Sequence, residues 1–91
     1  MQTVSIRLDG VTSLAELYAL LARELGLPPH FGGNLDALWD ALTGDLSGPV
    51  RVELIGTHAL RRRLGPQGER VIDLFLEAAG ARDDLAVAMH D

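Results

Sequence analysis

The chain has 91 residues, 47% of them hydrophobic and 23% charged, the composition expected of one globular domain over residues 1–91 without a Pro-, Ser- or Gly-rich linker or tail. It contains no cysteine, which excludes a disulfide framework and a thiolate metal site, and no run close to the ~20 apolar residues of a membrane span. A formal charge of −5, with no lysine, argues against nucleic acid as the ligand, because phosphates are held by surplus cations, and suits a basic protein partner.

The opening residues MQTVSIRLDG lack the apolar stretch of a signal peptide, so the expected compartment is the cytoplasm. Val4, Ile6 and Leu8 alternate with polar neighbours in TVSIRL, which predicts a strand ending at the Asp9-Gly10 turn. Ser13 and Glu16 have the spacing of a capping box, and Leu14, Leu17, Tyr18, Leu21 and Leu25 keep helical spacing up to Gly26. Pro28 and Pro29 prevent that helix from resuming. A second helix is predicted from an Asn34 cap to a stop at Gly44. After a turn over Asp45 to Gly48, PVRVELI alternates Val50, Val52 and Leu54 as a strand. Thr57 is the expected cap of a short helix through Leu64, closed by Gly65-Pro66, with Arg61, Arg62 and Arg63 at its electronegative end. A longer helix runs from Pro66 to Ala79 and stops at Gly80, presenting Val71, Ile72, Phe75 and Ala79 on one face; LAVAM is the last strand. Strands separated by helices imply crossover connections, hence an α/β class with a parallel sheet.

The segment PPHFGGNLDALWDALTG concentrates the unusual residues. At about 100° per residue, with Leu35 at zero, Leu38, Trp39 and Leu42 fall within about 60° of it and make one apolar stripe. Asp36 and Asp40 fall near about 100° and 140°, one turn apart on a face of their own. Like charges at this spacing repel, and Asp40 lies too far from the helix N-terminus to benefit from its dipole. Two readings of the pair stand on geometry alone, a solvated acidic face and a surface made to meet cations. Catalysis fits poorly. No third acid or histidine has ligand spacing around the pair, and His30, His58 and His90 lie in separate segments, so no metal is expected. Gly32-Gly33 precedes a helix but lacks the lysine of a phosphate loop.

HFGGNLDALWDALTG closely resembles the central motif of the barstar family, intracellular inhibitors of extracellular barnase-type ribonucleases. The similarity extends through ELGLPPHFGG before the motif, and PVRVELI, FLEAAG and LAVAM after it. It implies a two-layer fold, a three-stranded parallel sheet in the order 1-2-3 packed with about four helices. It also implies a protein that is not an enzyme and uses no cofactor. In this reading a monomer occludes the active site of a small basic ribonuclease, or a related toxin, in a 1:1 complex, contacting neither nucleic acid nor membrane directly and conferring immunity on the producing cell. Asp40 would mimic the substrate phosphate and Asp36 would support it. His30, Phe31, Gly32, Gly33 and Asn34 would form a loop wall, Thr43, Gly44 and Asp45 the far end, and Glu77 a peripheral acid. Trp39 belongs to the partner-binding set by resemblance and to the apolar stripe by spacing.

The chain departs from the family pattern at three places. His30 stands where the family has an aromatic, bringing a side chain that titrates near neutral pH. Asp45 replaces a second aromatic, and Ala81 a second peripheral acid. These changes leave open a barstar-like module that binds a non-nuclease protein, and the paired carboxylates leave open a small metal-dependent hydrolase.

Overall fold

Strands β1 (Gln2–Arg7), β2 (Val50–Ile55) and β3 (Leu85–His90) form one parallel sheet in the order β1-β2-β3, as expected. The computed structural model describes residues 1–28 and 32–91; His30 and Phe31, two expected loop-wall residues, lie outside the described residues. The register aligns like with like. Val4, Val52 and Val87 form one row and Ile6, Leu54 and Met89 the next, while Thr3, Arg51 and Ala86, then Ser5, Glu53 and Ala88, occupy the opposite face. With strands in sequential order, two right-handed crossovers fall on the same side of the sheet. Helices α1 (Leu14–Leu25), α2 (Leu35–Asp40), α3 (Thr57–Leu64) and α4 (Pro66–Ala81) accordingly share one core with the apolar rows, where Ile6, Leu21, Leu38, Leu54, Leu60 and Phe75 are buried. A single covered face is why even the central strand alternates instead of reading as a continuous apolar run.

Helix ends follow the sequence in part. Ser13 Oγ accepts from the Glu16 amide at 3.1 Å, but the Glu16 carboxylate reaches one residue further back than a capping box requires, accepting from the Thr12 amide and hydroxyl at 2.9 Å each. Those two bonds hold the Glu16 carboxyl below its ordinary range. Gly26 closes α1 in the left-handed region, with the Leu27 amide returning to the Ala22 carbonyl at 2.9 Å. Two expectations fail at α3 and α4. Gly56, not Thr57, is the residue before α3, and the Thr57 hydroxyl instead donates to the His90 carbonyl, tying α3 to the end of β3. Helix α4 runs through Gly80 to Ala81, because a glycine permits a left-handed stop without compelling one. Among the described residues, no helix is long and apolar enough to cross a membrane.

Candidate functional site

Helix α2 is built at both ends by polar contacts and along its length by burial. Gly33 takes a positive φ of 65°, which turns the chain into the helix, and Asn34 Oδ1 caps it by accepting from the Ala37 amide at 2.8 Å. A Cβ on Gly32 would come within 3.3 Å of the Asn34 side-chain amide, so this glycine makes room for the cap as well as thinning the loop. Leu38 is fully buried, as is Leu42 just beyond the helix, and Leu35 and Trp39 are half-buried against the same core. Asp36 and Asp40 are exposed on the opposite side. Side chains four residues apart on a helix stand one above the other, so the two carboxylates form a short column pointing at solvent.

The helix does not stop at Gly44. It widens into a π-helical turn over Ala41–Asp45, in which the Leu46 amide donates to the Ala41 carbonyl at 2.8 Å. Gly44 does not adopt a left-handed conformation there. The widening leaves carbonyls without their usual partners, and side chains take them up. Thr43 Oγ1 donates to the Trp39 carbonyl at 2.7 Å, and Arg82 Nη1 donates to the Leu42 carbonyl at 2.8 Å. Arg82 is itself held by Asp84 at 2.6 Å, and that hydrogen bond keeps the Asp84 carboxyl below its ordinary range. Replacing Arg82 with alanine is therefore expected to cost about 1–3 kcal/mol, because it strips a charge-assisted bond from a mostly enclosed carbonyl. Chemical denaturation would check this, and Arg82→Lys should recover only part of the loss because it lacks the two-pronged geometry.

Helix α4 packs beside α2 and the widened turn. A shallow cleft of about 390 Å³ lies between them, with Leu35, Trp39 and Leu74 as its apolar floor and Asp36, Asp73, Glu77 and Arg70 as its charged rim. A second hollow, on the other flank of Asp36, is lined by Tyr18, Gly33, Asn34, Gln67 and Arg70. The family model described as Barstar (barnase inhibitor) matches residues 1–90.

The chain belongs to the barstar family. A Bacillus subtilis (strain 168) protein named "Putative ribonuclease inhibitor YrdF" is 36% identical over 58 residues, a match covering 64% of this chain and 64% of that protein. The sheet order and the helical layer are those of a barstar-like fold.

On this barstar-family scaffold the structure brings Asp36, Trp39 and Glu77 to one cleft and keeps Asp40 exposed on the next turn of the same helix. Gly33 and Asn34 line the neighbouring hollow together with Asp36, and Gly32 lines a third with Gly33 and Pro28. Asp45 is apart from these, in a hollow with Gln2, Leu25 and Leu27, and the Thr43 hydroxyl is occupied within the helix. Sequence reasoning missed Arg70, Asp73 and Arg82. The first two had a signal, since positions 70, 73 and 77 repeat with helical spacing opposite Val71, Ile72 and Phe75. Arg82 had none, because its partner carbonyl lies 40 residues away in sequence.

Proposed function

We propose that this protein inhibits a small basic ribonuclease by seating the Asp36 and Asp40 carboxylates in the enzyme's phosphate-binding active site. The observation that carries this reading is the exposed carboxylate column on a helix whose opposite stripe is locked into the core. A ribonuclease holds phosphate with oriented arginine, lysine and histidine groups, and a carboxylate satisfies the same donors. Because α2 is capped and anchored before docking, little freedom is lost on binding. Asp40 takes the place of the phosphate, and Asp36 meets adjoining cations. The loop through Gly32, Gly33 and Asn34 walls the site, and Glu77 contributes from the rim.

The inhibitor acts as a monomer in a 1:1 complex in the cytoplasm of the producing cell, and it performs no catalysis itself. The net charge of −5 speeds encounter with a basic enzyme. The barnase–barstar pair is itself the standing example of such steering, and its magnitudes belong to that pair. Membership of the family and the name of the Bacillus subtilis relative support the inhibitor class. The test is a titration of ribonuclease activity, across a panel of barnase-type enzymes at low salt, with this protein. Loss of activity with an endpoint at one equivalent is expected; the absence of inhibition across the panel would overturn the reading and favour a non-nuclease partner.

A further inference from the structure

We propose that Arg70 is a specificity determinant that meets a carboxylate on the ribonuclease, so that the protein selects enzymes presenting an acid beside their basic site; this rests on the inhibitor reading above. Among the described residues Arg7, Arg23, Arg51, Arg61 and Arg82 form ion pairs, and Arg63 donates to the Val11 carbonyl. Arg62 and Arg70 make neither kind of contact with any described residue. Arg62 belongs to α3, whereas Arg70 is on the first half of α4 and lines both hollows that flank Asp36. Asp36 does not pair with it, although the two groups share both hollows.

That placement is costly for a surface meant only to attract a basic enzyme. A guanidinium beside the central acids repels the enzyme's cations, and docking would strip it of water against the half-buried Leu35, Trp39 and Leu74. An acceptor on the enzyme removes both penalties. An enzyme with a cation at the same place is rejected, which is how an interface gains selectivity through an unfavourable pairing as well as a favourable one.

The sign of one substitution separates this from simple charge attraction. Arg70→Glu makes the protein more acidic by two charges, so if Arg70 were a bystander the variant would associate faster and dissociate no faster. If it faces a carboxylate, the substitution sets two like charges against each other. The experiment measures association and dissociation rates for the parent protein, Arg70→Glu and Arg70→Lys on the barnase-type enzyme that the parent inhibits most tightly. Circular dichroism checks that the variants are folded. The expected result is dissociation at least about tenfold faster for Arg70→Glu, with Arg70→Lys close to the parent. Replacing the responsible acid on the enzyme should weaken the parent complex and relieve the Arg70→Glu variant. Tight inhibition by Arg70→Glu at the parent dissociation rate or slower would overturn the role of Arg70 alone. Failure of the parent to inhibit any member of the panel would instead overturn the inhibitor reading.

Discussion

Asp40→Ala should weaken inhibition of a responsive ribonuclease by about two orders of magnitude or more, since removing one member of an enclosed ion pair typically costs about 3–5 kcal/mol. Glu77→Ala should change it by no more than about fivefold, the range of an exposed pair at a rim. The difference follows from position. Asp40 is at the end of a helix that presents its carboxylate outward, and the enzyme cations it meets would be left buried and unmatched by alanine. Glu77 stays beside solvent on α4. Inhibition constants from activity titrations would measure both effects. Rising salt should slow association more than it hastens dissociation for the parent protein, because steering acts on encounter. Small, equal effects of the two substitutions would remove Asp40 from the centre of the interface.

Leu38→Ala is expected to have the largest effect on stability among changes to α2, about 2–5 kcal/mol, through loss of buried surface and the cavity left behind. Leu38 is fully buried, in a core shared with Leu21, Leu54 and Phe75. In a domain of this size the midpoint of thermal unfolding should fall by roughly 10 °C or more. Leu76→Ala, at a large apolar side chain that is 47% exposed, should stay within about 0.5 kcal/mol. Calorimetry would compare them. Because Leu38 faces away from Asp36 and Asp40, the variant should still inhibit at a temperature where it remains folded. A loss from Leu38→Ala as small as that expected of Leu76→Ala would mean that α2 is not held by its apolar stripe.

The parts of the fold that were legible in the sequence are those with a short-range physical cause. Alternation in TVSIRL, PVRVELI and LAVAM produced strands because one sheet face is covered and the other open. The Asn34 cap and the stripe of Leu35, Leu38, Trp39 and Leu42 were readable because capping and helical periodicity act within a few residues. Gly44 misled because glycine at the end of an apolar pattern usually marks a left-handed stop, and here the chain widened instead. Thr57 misled for a similar reason. Its hydroxyl found the His90 carbonyl across the fold, a partner that no local pattern indicates.

The candidate site divides along the same line. The sequence by itself determined the apolar and acidic faces of α2 and the net charge of −5, because periodicity and composition are properties of the chain before it folds. It also carried the parallel pairing implied by helical crossovers, and the family motif whose resemblance implied the strand order. Only the tertiary structure decided that α4 runs beside α2, so that Arg70, Asp73 and Glu77 share a cleft with Asp36 and Trp39. It alone decided that Arg82 braces the Leu42 carbonyl and that Asp45 turns toward a different hollow. The reason is that these relations depend on where the packed core sets one helix against another, and that placement is settled by the burial of many side chains at once, not by any residue's neighbours in sequence.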